Sequence, residues 1–390
     1  MGVVLVAIGI AVGVALVGDI GGGFFGGLLA LIIWLILWMV AVTKGDKIML
    51  ALNGAREIEK KDHPQLVNVV EEMTIAGLLP QRPKVYIVDD PSPNAFATGY
   101  RPERAAVTVT TGLLKILNRD ELQGVVAHEI GHIKNRDITL MTTASIMLGT
   151  IVLLAEVGLR VFIYGGRTRR SRSSSSRGGG QAQAVIMILA LVLMILAPIM
   201  AQLLYFALSR RREYLADASA AMFTRYPEGL ASALEKLGGA RIAPARESRV
   251  TAPMYIVAPP RGAHGAQMSA SSLTTTHPPL EQRIRILRSM AGGVGFAKYE
   301  EAYRKATGKG VIGSRTLSET GDVAAREPSK DDRSKPAERQ RQATNAILWA
   351  SGYKQIKCPC GAKLKIPPEL AGRFSKCPRC KANLPAQAKA

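Results

Sequence analysis

The chain has 390 residues, 47% of them hydrophobic, and carries 51 basic against 30 acidic residues for a formal charge of +21. Its apolar residues gather in long runs, which excludes an ordinary soluble enzyme, and the length allows two or three domains. The charge excess implies an anionic partner, with lipid headgroups and nucleic acid as the two candidates.

Residues 3–16 and 24–42 are almost wholly apolar, with Asp19 the only charge before Lys44. A cleaved signal peptide fits poorly, because no basic segment precedes the first run and a second run follows after a glycine-rich turn. The expectation is an uncleaved transmembrane hairpin over residues 1–44. A soluble stretch follows. Residues 55–77 carry a helical pattern, and 84–89, 95–98 and 105–111 read as short strands. Asn118 and Glu121 have the spacing of a capping box that opens a helix running through His128 and His132.

Two further apolar runs, 138–164 and 185–208, are long enough to cross a hydrocarbon core about 30 Å thick. Between them lies a flexible Gly/Ser/Arg loop, 165–184, with five arginines. If both runs cross, that loop sits outside the cytoplasm against the positive-inside rule. Glu156 and Arg160 inside the third run can neutralise each other at i,i+4. A shallow or re-entrant hairpin therefore stands as the alternative. Residues 308–345 are polar and poor in large apolar side chains, which reads as a disordered linker with few contacts to the body. A small module occupies 346–390.

His128-Glu-Ile-Gly-His132 carries the sharpest chemistry. Residues four apart share one helix face, so both imidazoles reach one metal ion, and Glu129 beside them can accept a proton from activated water. A chance histidine pair on a surface helix is the bland alternative, but only five histidines occur in the chain. A catalytic zinc needs a third protein ligand. Glu213, in the run Arg-Arg-Arg-Glu-Tyr-Leu-Ala-Asp after the fourth apolar segment, is the candidate. Taken alone, it is equally an ordinary boundary charge paired with arginine. Asp217, four residues on, shares its face and could fix the tautomer of a ligand histidine.

The order Asn94-Ala-Phe-Ala-Thr-Gly, His-Glu-Ile-Gly-His, Arg-Glu-Tyr-Leu-Ala-Asp-Ala-Ser-Ala and Thr-His277-Pro-Pro-Leu-Glu-Gln-Arg283 resembles the HtpX-type membrane zinc proteases, relatives of the CAAX prenyl-protein proteases. The resemblance covers residues 1 to about 290. It implies a multi-pass endopeptidase of a prokaryotic cytoplasmic membrane, with its active site on the cytoplasmic side and a role in membrane-protein quality control. It also implies His128, His132 and Glu213 as ligands of a catalytic zinc, Glu129 as general base and Asp217 as the carboxylate behind a ligand histidine. Asn94, Ala95 and Phe96 match an edge strand that binds substrate backbone. His277 and Arg283 match a pair that steadies the tetrahedral intermediate, although His277 before two prolines is as readily a structural cap. His63 and His264 receive no role, and residues 254–257 either close over the cleft or form a buried strand.

All four cysteines fall in the last 35 residues, so no disulfide framework supports the body. Cys358, Cys360, Cys377 and Cys380 form two close pairs suited to a tetrahedral Cys₄ zinc ribbon, the first pair being C-x-C in place of the commoner C-x₂-C. In a reducing cytoplasm a metal is favoured over disulfides. The module carries nine basic residues and one acid. A surface of that charge suits an anionic partner, or is simply solvated while the ribbon docks on protein.

The expectation is thus a mainly α membrane protein with an α+β protease body: transmembrane helices, a zincin-like H-E-x-x-H helix beside a small sheet, and a zinc ribbon. Its segments are a hairpin (1–44), a metalloprotease domain (45–307), a linker (308–345) and the ribbon (346–390). Two zinc ions are expected, one catalytic and one structural, with protein or peptide substrates, a lipid bilayer and no small-molecule cofactor. The rival reading is a catalytically idle membrane scaffold that uses its basic ribbon to bind protein, lipid or nucleic acid.

Overall fold

The structure is a computed structural model that describes residues 20–140, 210–240, 278–290, 293–318, 321–329, 336–370 and 376–384, plus the isolated positions 5–7, 9, 10, 13, 143, 144, 148, 151, 188, 192, 195, 196, 199 and 242. Most of the apolar runs 138–164 and 185–208 lies outside the described residues, as do the loop 165–184, residues 254–257, His264 and His277.

Helix α1 (Ile20–Leu52) is, among the described residues, the one helix long and apolar enough to cross a membrane. At 1.5 Å per residue it exceeds a hydrocarbon core of ~30 Å, so it continues past the apolar run through Lys44, Asp46 and Lys47. Phe24, Phe25, Leu29 and Met39 are each more than half exposed, while Met49 is buried at the other end. Small residues bring the preceding arm close. A Cβ on Gly26 would meet the Gly9 carbonyl oxygen at 2.2 Å, and one on Gly13 would meet that of Gly22 at 2.1 Å. Gly9/Gly13 and Gly22/Gly26 are thus small-xxx-small pairs whose backbones touch, the packing that serves where lipid removes the hydrophobic drive between helices.

The sheet has the order β1-β2-β4-β3, from β1 (Arg56–Glu57), β2 (Lys84–Val88), β3 (Ala95–Thr98) and β4 (Ala106–Thr110). β2 and β4 run parallel, and β1 and β3 join antiparallel at the two edges. Beside it lie α2 (Pro64–Ala76), capped by His63, and the short α3 (Thr111–Ile116). Burial pushes the His63 imidazole down to about 4, so it stays neutral and its Nδ1 accepts the Leu66 amide at 3.1 Å.

Helix α4 (Arg119–Lys134) is the centre of the body, with every residue from 120 to 133 buried. Its start is the expected capping box: Asn118 Oδ1 accepts from the Glu121 amide and Glu121 Oε2 from the Asn118 amide, both at 2.8 Å. α2 and β3 pack against it, as does α6 (Pro227–Gly239). The α4–α6 crossing needs glycine, because a Cβ on Gly124 would lie 2.6 Å from the Leu230 amide nitrogen. Residues 210–224 form α5, followed in the body by α7 (Leu280–Arg288) and α8 (Phe296–Thr307).

The disordered linker expected over 308–345 is corrected where the structure describes it. Val311 and Ile312 are buried in the main core, and their amides donate to Glu300 Oε2 at 3.0 and 2.9 Å. Val323 bridges Val294. Arg326 donates to Asp120 Oδ1 at 2.8 Å, Gln123 Oε1 at 2.7 Å and the Thr224 carbonyl at 2.9 Å. Helix α10 (Pro336–Ala350, with the short α9 at Ser314–Ser318 before it) buries Ala343 and Ala346 against α3 and the strands β1 and β2. Average polarity hides this because a few small or branched side chains, fully buried, anchor an otherwise polar strap.

The ribbon proper therefore begins after α10. It consists of the hairpin β5 (Lys354–Lys357) and β6 (Lys363–Ile366) over a separate small core of Ile356, Cys358, Ile366, Cys377 and Leu384.

Candidate metal centre

Helix α4 presents His128 and His132 on one face, their Nε2 atoms 3.2 Å apart. Helix α5 brings Glu213 opposite them, with Oε2 3.5 Å from His128 Nε2 and Oε1 3.4 Å from His132 Nε2. All three residues are at most 5% exposed. Four-coordinate ligands at about 2.0–2.1 Å from a zinc ion stand roughly 3.3 Å from one another, so this spacing already matches one tetrahedral face.

The far sides of the rings are also held. His128 Nδ1 lies 3.0 Å from Asp217 Oδ1, and His132 Nδ1 lies 3.1 Å from Asp137 Oδ2. With His132 Nδ1 bonded to Asp137 and His128 Nδ1 within ion-pair reach of Asp217, each Nε2 faces Glu213, the side on which a metal would be held. Arg283 is wholly buried and grips Asp217 with two bonds, Nε to Oδ2 at 2.8 Å and Nη2 to Oδ1 at 2.6 Å; its Nη1 lies 3.5 Å from Glu213 Oε2. Arg212 pairs with the second oxygen of Asp137.

The electrostatics ask for a cation. Counted as ionised, the carboxylates of Glu129, Asp137, Glu213 and Asp217 face the two guanidinium groups of Arg212 and Arg283, leaving two negative charges in a buried site. Burial pushes the His132 ring down, but its bonds to Asp137 and Glu213 outweigh this and carry it up to about 10. His128 is likewise raised, as Asp217 and Glu213 overcome the effect of burial. Asp217 is lowered, because Arg283 and His128 outweigh its burial. Without metal, protons held on the two imidazoles balance these charges; a divalent ion would take their place, and the donor set of two imidazoles and one carboxylate suits zinc. The residues present fit the metal.

Glu129 stands next to His128 in α4, 4% exposed, near enough for its charge to act on His132. Arg283 is fully buried beside the candidate ligands, bonded to Asp217 and with Nη1 3.5 Å from Glu213 Oε2. Asn94, Ala95 and Phe96 lie at the edge of the sheet in and before β3, buried and packed beside α4. The Asn94 amide donates to Thr110 Oγ1 at 2.9 Å, and its carbonyl accepts the Thr110 amide.

Asp137 and Arg212 escaped the sequence reading. The available signals were a carboxylate five residues after the second histidine and an arginine next to the third ligand, but neither has a fixed helical offset that would mark it.

The second constellation is the ribbon. Cys358 and Cys380 Sγ lie 3.5 Å apart, and Cys360 and Cys377 Sγ 3.9 Å apart. Tetrahedral thiolates at about 2.3 Å from zinc stand ~3.8 Å apart, between the two values. The Cys377 thiol is lowered to about 7, chiefly because the Cys380 amide donates to it, while Cys358 is raised to about 12 by burial and neighbouring thiols that outweigh the Cys360 amide.

Comparison with known proteins adds three findings. The family model described as "Peptidase family M48" matches residues 60–291. A "Protease HtpX homolog" of Dictyoglomus turgidum is 50% identical over 250 residues, covering 64% of this chain and 77% of the relative. One of the same description from Streptococcus uberis is 43% identical over 249 residues, covering 64% and 81%. Among solved structures, the crystal structure of S. mikatae Ste24p gives a TM-score of 0.39 at 20% identity, over 66% of this chain and 57% of that one.

Proposed function

This chain belongs to peptidase family M48, and from that premise we propose that it is a zinc endopeptidase that hydrolyses membrane or misfolded proteins at the cytoplasmic face of a prokaryotic membrane. It is a membrane metalloprotease, and its substrates are proteins or peptides. The family sets the idle-scaffold reading aside. The single observation that carries the proposal is the buried set His128, His132 and Glu213, whose donor atoms all lie within 4.8 Å of one another.

The residues divide the work. His128, His132 and Glu213 would hold the ion, and zinc bound there supplies a Lewis acid that acidifies water and polarises the scissile carbonyl. Asp217 and Asp137 orient the two rings. Arg283 keeps Asp217 ionised and balances Glu213. Glu129 takes the proton of the attacking water on its carboxylate and returns it to the leaving amine. Asn94, Ala95 and Phe96 offer edge-strand backbone to an extended substrate, as in β-strand addition, and His277 with Arg283 steadies the tetrahedral intermediate.

The cytoplasmic orientation is supported by Lys44, Lys47 and Arg210 to Arg212 at the ends of the apolar runs. Several crossings, over 1–44, 138–164 and 185–208, belong to the same reading. So does a structural zinc on Cys358, Cys360, Cys377 and Cys380, in a module whose basic surface meets an anionic partner.

The test is turnover of an unfolded membrane-protein substrate by zinc-loaded protein, wild type against Glu129→Gln. Loss of a positioned acid–base group lowers the rate by ~10²–10⁴-fold, with zinc content unchanged. Near-normal turnover of Glu129→Gln refutes the assignment.

A further inference from the structure

Each ligand histidine is backed by a carboxylate and then an arginine: His128 by Asp217 and Arg283, His132 by Asp137 and Arg212. The two chains of contact differ in where they come from. Asp217 and Arg283 lie within the protease body and are wholly buried. Asp137 and Arg212 stand at the junctions with the apolar runs. Helix α4 ends at Lys134 with Asn135 as its C-cap, and Arg136 takes a left-handed φ of +58°. That reversal starts a new helical stretch at 137–140, the first residues of the third apolar run, with the Asp137 carboxylate turned back onto His132. Arg212 comes from the other junction, just after the fourth apolar run and one residue before the ligand Glu213.

A single carboxylate, 2% exposed, therefore touches the second ligand with one oxygen and the neighbour of the third ligand with the other. α4 and α5 are joined by no short connection, since 75 residues separate Asp137 from Arg212. Their relative position at the metal must be set by contacts, and His132–Asp137–Arg212 is one that ties the far side of a ligand ring on α4 to α5. It borders a cavity of about 400 Å³ lined by Asn135, Arg211, Leu215, Val311 and Ile312, so it is partly open to solvent where the Asp217–Arg283 pair is not.

Building on the zinc-peptidase reading, we infer that Asp137 and Arg212 form a clasp that orients His132 and fixes the spacing between the α4 and α5 ligands at the point where the chain enters and leaves the apolar pair. Both are positioning residues. Arg212 acts only through Asp137.

The test uses full-length protein loaded with Co²⁺ in place of zinc. The ligand-field absorption of the His128/His132/Glu213 site is read separately from the thiolate-to-cobalt charge-transfer band of the ribbon. Asp137→Ala should lower Co²⁺ affinity at the first site about 10–100-fold, as loss of a carboxylate behind a ligand histidine does, and shift its ligand-field band with the ribbon band unchanged. Arg212→Gln should lower it less and Arg212→Lys should recover part of the loss. The double variant Asp137→Ala/Arg212→Gln should match Asp137→Ala alone, because contacts in one chain are not additive. An unchanged affinity and band in Asp137→Ala overturns the inference alone, as does a double variant whose loss equals the two single losses combined. A ribbon band that falls in parallel means general misfolding and overturns it too. Wild-type protein with no ligand-field band at this site overturns the zinc-peptidase reading and the inference with it.

Discussion

Cutting the chain after Gly308 should destabilise the protease body, whereas cutting after Ser351 should not. The first cut removes Val311 and Ile312, each 7% exposed, and burying such side chains is worth about 1.5–3 kcal/mol apiece. It also removes Arg326, whose guanidinium bonds Asp120 and Gln123 near the start of α4 and the carbonyl of Thr224 at the end of α5. Hydrogen bonds to charged groups contribute about 1.5–3 kcal/mol, and the lower end applies because the Arg326 side chain is 28% exposed. Ala343 and Ala346, both at 0% exposure, are lost as well. An unfolded chain already hides part of this surface, which lowers each figure. Even so the loss reaches roughly 5 kcal/mol, a large share of the ~5–15 kcal/mol that typically separates folded from unfolded protein. The assay is thermal unfolding in detergent of chains 1–308, 1–351 and 1–390, with cleavage of a short peptide measured after mild heating. Equal midpoints and equal peptide turnover for 1–308 and 1–351 would refute the reasoning and return 308–345 to the role of a free linker.

Other outcomes follow from the same geometry. Glu213→Ala should lower metal content from about two ions per chain to about one, the ribbon keeping its own; unchanged stoichiometry by metal analysis would reduce Glu213 to a boundary charge. Because Asp137 and Glu213 hold the His132 ring protonated up to about pH 10, zinc must displace that proton at neutral pH. Catalytic-site affinity should therefore rise with pH, by about tenfold per unit for each proton released, and competition with a chelator between pH 6 and 8 would expose a flat response as contrary. Gly124→Ala should destabilise the body by about 1–3 kcal/mol, the usual range for overpacking, since its Cβ would press on the Leu230 backbone at 2.6 Å. Unfolding midpoints matched to wild type would show that α4 and α6 can separate freely.

Much of the site was legible because a helix fixes its own geometry. Four residues of spacing place His128 and His132 on one face, and the Asn118–Glu121 capping box announces where that helix starts. Three of the four strands of the sheet were visible as short apolar runs between turns, while β1, two residues long, pairs only through tertiary contact and leaves no pattern. α1 was visible as an apolar run but not in its full length. Nothing in residues 44–52 marks them as a continuation of the apolar helix; the structure carries it to Leu52 and buries Met49.

What the sequence determined by itself is everything set by local spacing: the His128–His132 pair, the adjacent Glu129, the paired cysteines and the apolar run of α1. Only the tertiary structure decided which groups stand behind the ligands. Asp137 reaches His132 by a left-handed turn, Arg212 reaches Asp137 across 75 residues, and Arg283 reaches Asp217 across 66. The polar strap after residue 308 is held by a few buried side chains and one arginine whose partners lie 102 to 206 positions away in the chain. Such contacts depend on where folding brings distant segments, and no local period encodes them.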